Sequence, residues 1–312
     1  MIEKPAQSNL TTALDFLKQG DLEAAYSELE RILRNNLDNA EVEYALRGVS
    51  FWLEKLKTAK QAAEPLERGE YMIANWKPFL NFIGKQGKYH EAVIYALKCA
   101  VFTQALNFYA ELFTGEAGLP DPEPYRKAGL CYKVLGNYDK GLEFLKYAAE
   151  LNKKSAAVMA ELADCYALYG EIKISKAFFR EAFFINPAEI ELQFLESEVI
   201  KRLIKKVEEI GYNNELVLEW IPVYGVIDGV FNVKRELRSF EFGQLKQKIF
   251  CLENEEREKT GIQRAKLIPR LINNYFWLID HYVNVNESKA KIDDVLLRIK
   301  VLDKDIYKRY IE

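Results

Sequence analysis

The chain has 312 residues, 49% hydrophobic and 29% charged, a composition typical of a globular protein and unlike that of a disordered one. Its formal charge of −3 and pI of about 5.8 disfavour a nucleic-acid-binding protein, which normally presents a strongly basic face. Nowhere do about 18 apolar residues run together, so we expect no membrane span.

The N-terminus and the cysteines both favour a cytoplasmic location. Residues 1–9 contain no apolar run behind a basic start, which disfavours a secretory signal. The four cysteines lie far apart in the sequence, as expected for free buried thiols in a reducing compartment. They are Cys99, Cys131, Cys165 and Cys251.

Residues 6–39 and 40–72 are the first two predicted helix pairs. The first pair turns at Gly20, and its apolar positions are Phe16, Leu22, Ala25 and Leu29. The second pair lacks a turn glycine and is degenerate. Its second helix is expected to carry Ala59, Ala63 and Leu66.

Residues 73–106 are the third predicted pair, around Gly87, with Trp76, Tyr89 and Ala92 at its apolar positions. The stretch from Val93 to Phe113 is apolar and aromatic without a helix breaker, which predicts one elongated second helix. The following segment, 114–125, carries three prolines and is expected to be a loop. That loop is either a simple insertion or a functional element.

Residues 122–155 and 156–189 repeat each other. Aligning Gly136 with Gly170, 34 positions later, also aligns Tyr132 with Tyr166. The same alignment pairs Cys131 with Cys165, Phe144 with Phe178, and Ala148 with Ala182. A fixed period of this length is typical of repeat proteins whose units are two antiparallel helices. In the second unit we expect one helix face to carry Met159, Leu162, Ala163 and Tyr166. We expect a second helix to carry Ser175, Phe179 and Ala182 and to stop at Pro187.

These residues resemble the tetratricopeptide repeat (TPR) family, whose pattern is Trp-x2-Leu-Gly-x2-Tyr followed by Ala, Phe, Ala and Pro. The pattern departs at Met159, which replaces Trp, and at Lys153, which replaces the closing Pro. The resemblance covers 6–189 and implies an all-α, right-handed α-solenoid of helix-turn-helix repeats in a bacterial protein. The repeat positions that carry it are Trp76, Gly87, Gly129, Tyr132, Gly136, Tyr166, Gly170, Phe179, Ala182 and Pro187.

Residues 190–312 are expected to form an additional C-terminal helical module. Its predicted helices are Ile200–Ile210, Lys234–Glu258, Ile262–Val285 and an amphipathic stripe from Ile292 to Ile306. The third of these is apolar on most of its circumference, which is typical of a helix buried within a domain. In the second, we expect Leu237, Phe240, Leu245, Ile249 and Leu252 to face inward.

No catalytic, metal or cofactor site is expected, so we predict that the chain is not an enzyme. The only two histidines, His90 and His281, lie 191 residues apart and show no metal-ligand spacing. We expect His90 to be an ordinary surface residue, and His281 to form a hydrogen-bonded structural pair with Asp280. The sequence contains neither a phosphate-binding glycine loop nor a nucleophile elbow.

The resemblance places partner contacts on the first helix of each unit, which lines the concave face of TPR proteins. Carried over, the partner-binding residues are Lys77, Asn81, Lys85, Arg126, Lys127 and Lys133. The family's carboxylate clamp is not supported, because Ala157 and Glu161 occupy two of its positions. The cations therefore form either a looser basic groove or a solvated surface. If the cations form a groove, replacing Lys77, Arg126, Lys127 and Lys133 by Glu should abolish partner capture without lowering the melting temperature.

The sequence is consistent with two functions. The first is an adaptor that binds a peptide or helix of a protein partner in the groove. The second is a structural subunit of a larger cell-envelope or motility assembly, with possible self-association through 190–312. Neither involves nucleic acid or a membrane span.

Overall fold

We describe the chain from a computed structural model over residues 4–35, 38–113, 120–213 and 215–312. Within these ranges every regular element is a helix and no strand occurs. The prediction of an all-α protein is therefore confirmed. The chain divides into two compact units. The first ends at Leu151 and the second begins at Asn152. The boundary expected at 189/190 falls inside the second unit.

The first unit contains eight α-helices in its described residues and one 3₁₀ turn at Glu111–Phe113. The helices are α1 (Lys4–Lys18), α2 (Leu22–Asn35), α3 (Ala40–Ala59), α4 (Pro65–Ala74), α5 (Trp76–Ile83), α6 (Glu91–Ala110), α7 (Pro122–Val134) and α8 (Tyr138–Leu151). Of the predicted proline loop, residues 114–119 lie outside the described residues.

The second unit contains a further eight α-helices in its described residues and two 3₁₀ turns, Pro187–Glu189 and Leu192–Phe194. The helices are α9 (Ala156–Tyr169), α10 (Ile172–Ile185), α11 (Glu198–Glu209), α12 (Glu215–Ile227), α13 (Ser239–Glu258), α14 (Gly261–Asn284), α15 (Lys289–Leu302) and α16 (Lys304–Ile311). As predicted, Pro187 follows the end of α10.

Three of the four predicted turn glycines, Gly20, Gly136 and Gly170, form one recurring bend. At Gly136 the φ angle is 79°, and the Asn137 N–H donates to the Tyr132 carbonyl at 2.9 Å. At Gly170 φ is 101°, and the Glu171 N–H donates to the Tyr166 carbonyl at 2.8 Å. This left-handed conformation satisfies helix-terminal carbonyls, and glycine adopts it without a Cβ clash. The same hydrogen bond closes the bends at Gly20, Gly211 and Asn286.

The two aligned repeat units share their internal contacts. The rings of Tyr132 and Phe144 lie 5.2 Å apart, and those of Tyr166 and Phe178, 34 positions later, lie 5.5 Å apart. Gly129 allows α7 and α8 to approach closely, because an added Cβ would lie 2.7 Å from Leu145. Most of the predicted helix-face residues of the second unit are buried, namely Met159, Leu162, Ala163, Ser175, Phe179 and Ala182.

Helix α6 is the centre of the first unit. It packs against α1, α3, α4 and α7, and its Phe102 and Tyr109 are fully buried. Together with the adjoining 3₁₀ turn, as Glu91–Phe113, it is the one helix in the described ranges that is long and apolar enough to cross a membrane. In the apolar window of this helix 61% of the residues are buried, as expected for the core helix of a folded unit. The predicted elongated helix is confirmed.

Helix α14 plays the same part in the second unit. It lies against α12, α13 and α15, and Leu271, Ile272 and Phe276 are almost completely buried. The expectation from its nearly all-round apolar surface is therefore confirmed. Between α11 and α13, the chain is helical over Glu215–Ile227, although this helix contains Pro222.

Several placements in the degenerate pairs were wrong. Ala59 is the last residue of α3, and Ala63 lies in the turn before α4, so neither belongs to a second helix. Trp76 is buried as predicted, but Tyr89 and Ala92 are exposed beside Gly87. Tyr89 lies in the turn at 84–90, and Ala92 lies in the first turn of α6, which begins at Glu91.

Four predictions for the C-terminal residues were also wrong. Helix α13 begins at Ser239 rather than at Lys234, and Phe240 in its first turn is 72% exposed, whereas Leu237 is buried as expected, from the loop before the helix. The last amphipathic stripe is two helices, because Asp303 ends α15 and its carboxylate caps α16 through the N–H groups of Asp305 and Ile306. Of the four cysteines, all free, Cys251 is exposed and the others are buried.

Candidate functional site

The first three predicted partner-binding residues lie on the surface. Lys77 and Asn81 project from α5, and Lys85 lies in the turn that follows this helix. All three side chains are exposed. They remain candidates for a partner contact.

The three predicted cations of α7 are buried instead. Arg126, Lys127 and Lys133 are exposed by only 6%, 7% and 1%. Arg126 forms two hydrogen bonds with Glu123, at 2.6 and 2.9 Å, and Lys127 pairs with Glu70 at 3.2 Å. Burial raises the pKa of Glu123, but the hydrogen bond and charge of Arg126 outweigh it, so the pKa is lowered. The expectation that these three cations face solvent in a groove was wrong.

An open cleft occurs instead in the second unit. It has a volume of about 800 Å³ and lies between the end of α10 and the outer side of α13. One wall follows α13 from Phe240 to Cys251, which corresponds to a length of about 16 Å. The loop before α13 and the turn before α9 complete the rim.

The floor of the cleft is apolar. It consists of Phe184 and Ile185 at the end of α10 and Leu245 on α13, and the exposed Phe240 stands at the rim. Phe184 is held in place by stacking on Trp277, with ring centroids 4.2 Å apart. The floor can therefore accept an apolar side chain.

An arginine network closes the end of the cleft near the start of α13. Arg235 donates two hydrogen bonds to Glu181 on α10, at 2.8 and 2.9 Å, and one to Glu241 on α13 at 3.1 Å. Glu241 also accepts the backbone N–H of Arg238 at 2.9 Å. Burial raises the pKa of Glu241, but hydrogen bonds from Arg238 and Arg235 outweigh this and lower it to about 2. Both carboxylates that line the cleft are thus already engaged.

Lys248 lies farther along the cleft and has no carboxylate partner among the described residues. Its amine donates to the Phe184 carbonyl at 2.9 Å and stands 5.2 Å from the centre of the Phe184 ring. Desolvation lowers the pKa of this amine, and the charge of Arg270 lowers it further, while Glu219 opposes the shift. Lys248 is therefore a partly desolvated cation that faces an open volume.

The lining as a whole is basic. Five cations face two carboxylates: Lys153, Lys154, Arg235, Arg238 and Lys248 against Glu181 and Glu241. Lys153 and Lys154 are exposed in the turn before α9 and take part in no ion pair in the described structure. This excess of positive charge stands out in a chain whose formal charge is −3.

The histidines and the aspartate considered for catalysis make packing contacts or ion pairs within the fold. Asp280 pairs with Arg180 and Lys234 rather than with His281, so the predicted Asp280–His281 pair was wrong. Neighbouring residues on a helix point in different directions, and His281 stacks on Phe242 instead. His90 is only partly exposed and packs on Tyr44. The described part of the chain contains no group of acidic, His or Cys residues that could hold a metal ion.

Sequence reasoning missed the cleft because its residues come from distant segments. Lys153 and Lys248 are almost 100 positions apart, and no short pattern links them. The one available signal was the cluster of Arg235, Arg238 and Lys248 around α13. No protein-family model matches this sequence, and a comparison with curated proteins finds no match.

Proposed function

We propose that this chain is a non-enzymatic, cytoplasmic adaptor that holds a protein partner and is built as a TPR-like α-solenoid. The recurring glycine bends and the matching Tyr–Phe pairs support the solenoid. So do two asparagine turns 34 positions apart, in which Asn152 and Asn186 accept the N–H groups of Lys154 and Ala188. The buried, free Cys99, Cys131 and Cys165 support a reducing compartment.

The observation that carries the adaptor role is the open cleft between α10 and α13. Its size falls within the range of about 300–1,000 Å³ that is usual for ligand clefts. Its floor is apolar and its rim basic, and its fixed carboxylates are held by Arg235. This arrangement suits binding, because an apolar floor lies beside Lys153, Lys154 and Lys248, which have no ion-pair partner among the described residues. We therefore prefer this cleft as the binding site over the three cations of α7, which are buried.

Cys251 allows a direct test, since it is the exposed cysteine of the cleft wall and the other three are buried. The full chain would be labelled at Cys251 with a benzophenone maleimide, returned to a native-cell extract and illuminated. The matched control carries Cys251→Ser and Gln263→Cys, which moves the probe to an exposed position on α14 outside the cleft.

We expect a cross-linked protein from the Cys251 probe, little or none from the control, and loss of the cross-link when Arg238 and Lys248 are changed to Glu. Mass spectrometry then identifies the contacting segment. Equal cross-linking from both positions, or none from Cys251, would contradict the adaptor role.

The alternative role, a subunit of a larger assembly, is favoured by one surface. On α15, Leu297 and Val301 lie one turn apart and are 58% and 80% exposed, and Ile311 on α16 is 55% exposed. Such side chains are candidates for a subunit contact. Sedimentation of the full chain should then show concentration-dependent association that Leu297→Glu with Val301→Glu removes. A monomer at all concentrations would argue against self-association.

A further inference from the structure

The cleft also indicates what kind of segment it binds, an inference that rests on the adaptor role proposed above. We propose that its occupant is a short acidic peptide segment of the partner, which places an apolar side chain on the floor and a carboxylate against Lys248. The partner is thus identified by charge and by one apolar anchor.

The first argument is charge complementarity. The cleft has three more cations than carboxylates, and Glu181 and Glu241 are both bound by Arg235. Lys153, Lys154 and Lys248 have no ion-pair partner in the described structure. A basic segment would meet an excess of cations here, and a neutral one would leave these three lysines unpaired.

The second argument is the position of Lys248. The amine is fixed toward the cleft by the Phe184 carbonyl and ring, which form part of the same floor. The charged groups packed behind it, Glu219 on α12 and Arg270 on α14, are hydrogen-bonded to each other. Lys248 therefore has no ion-pair partner of its own among the described residues, and an incoming carboxylate would supply one through a charge-assisted bond.

The third argument is length. The wall along α13 is about 16 Å long, which an extended segment of about five residues spans. With the apolar floor at Phe184, Ile185 and Leu245, the segment would place at least one large apolar side chain between its acidic residues.

The experiment measures binding of a fluorescein-labelled peptide of about 12 residues, long enough to span the wall, in which Glu alternates with Leu and Trp. Two companion peptides replace every Glu by Gln or by Lys. The protein is the full chain, compared with Lys248→Gln, Lys248→Arg and Lys246→Gln. Lys246 is the matched control, because it lies on the same helix but over the Phe242 ring and lines a different groove.

We expect the Glu peptide to bind, the Gln peptide to bind more weakly and the Lys peptide not to bind. Lys248→Gln should weaken the Glu peptide about 10- to 100-fold, the usual contribution of a charge-assisted bond, while Lys246→Gln changes affinity little. In the wild type, affinity should fall with rising pH before ordinary lysines deprotonate, because the pKa of Lys248 is lowered. In Lys248→Arg, which stays charged, affinity should be retained and the fall should be absent.

Equal binding of the Glu and Lys peptides, equal effects of the two lysine variants, or no binding of any peptide would each overturn the inference. Competition by free succinate at the same concentration as the peptide would also overturn it, in favour of a small anion. The two proposals can be refuted separately. A Cys251 cross-link to a partner segment without acidic residues would refute the acidic-peptide inference but not the adaptor role.

Discussion

The buried ion pair between Arg180 and Asp280 should be the most sensitive point of the second unit. Their side chains are only 4% and 6% exposed, and they join α10 to α14 directly behind the cleft. We consider Asp280→Asn, which keeps the shape of the side chain and removes its charge.

The expected loss of stability follows from the contacts that Arg180 keeps in Asp280→Asn. Its remaining contacts are a hydrogen bond to the Val233 carbonyl at 2.8 Å and the Trp277 ring at 4.7 Å, and neither carries a neutralising charge. Removing one partner of a buried pair typically costs about 3–5 kcal/mol. Lys234 also loses its contact with Asp280, but its side chain is 47% exposed, so that loss adds at most about 1 kcal/mol.

The assay is thermal unfolding of the full chain, followed by circular dichroism and calorimetry. For a unit of about 160 residues, a loss of this size should lower the melting temperature by about 10 °C. Lys234→Gln is the control and should lower it by about 4 °C at most. The double variant Arg180→Met with Asp280→Leu should recover most of the loss, because a well-packed apolar pair replaces the ion pair.

A melting temperature for Asp280→Asn within about 2 °C of the wild type would refute this reasoning. It would mean that water or another carboxylate already compensates Arg180. A double variant as unstable as the single one would instead show that the pair contributes by a specific geometry that apolar packing cannot replace.

Three further predictions concern stability. Lys127→Glu places a carboxylate beside Glu70 in a buried position, so it should destabilise the first unit by at least about 3 kcal/mol in urea titrations, and an unchanged midpoint would show that the site is solvated. Gly129→Val should cost about 1–3 kcal/mol in calorimetry, because its Cβ would overlap Leu145, and a neutral effect would contradict the close approach of α7 and α8. The pKa of Glu241 is lowered to about 2, so its contribution to stability is complete above the ordinary glutamate pKa of about 4.3 and is lost as the pH falls toward 2. Between these two pH values, the melting temperature of Glu241→Gln should therefore fall less than that of the wild type. An identical fall in both proteins would refute the assignment.

Gly243→Ala is the control for the glycine prediction. Gly243 lies within α13, where an added Cβ meets no atom within 4 Å. Because alanine favours helix by about 1 kcal/mol over glycine, this variant should be neutral or slightly stabilising.

Much of the helix order could be predicted because the relevant signals are local. A glycine bend needs only the hydrogen bond between Asn137 and Tyr132, five positions apart, and the same bond recurs at Gly170. The nearly all-round apolar surface of α14 identified a central helix before any contact was known. Where the local signal was absent, as in the turn after Ala59, the boundaries were wrong.

The candidate site could not be predicted in the same way. The position of Lys127 on α7 indicated a solvent-facing cation, yet Glu70, more than 50 residues away, holds it in the interior. Phe240 has the spacing of a core residue, but α13 begins so close to it that the ring points outward at the rim of the cleft. Periodicity defines which residues share a face, and only packing decides which face is covered.

The sequence by itself thus determined that this chain is made of helices, where many of them turn, and that two units repeat at a 34-residue interval. Helix caps, glycine bends and apolar periodicity each involve only a few neighbouring residues, so they can be recognised from the sequence. The tertiary structure decided which charges are available. Whether Lys127 or Lys248 can meet a partner depends on carboxylates that other helices bring close or keep away, and ion pairing in a folded chain is a property of that packing.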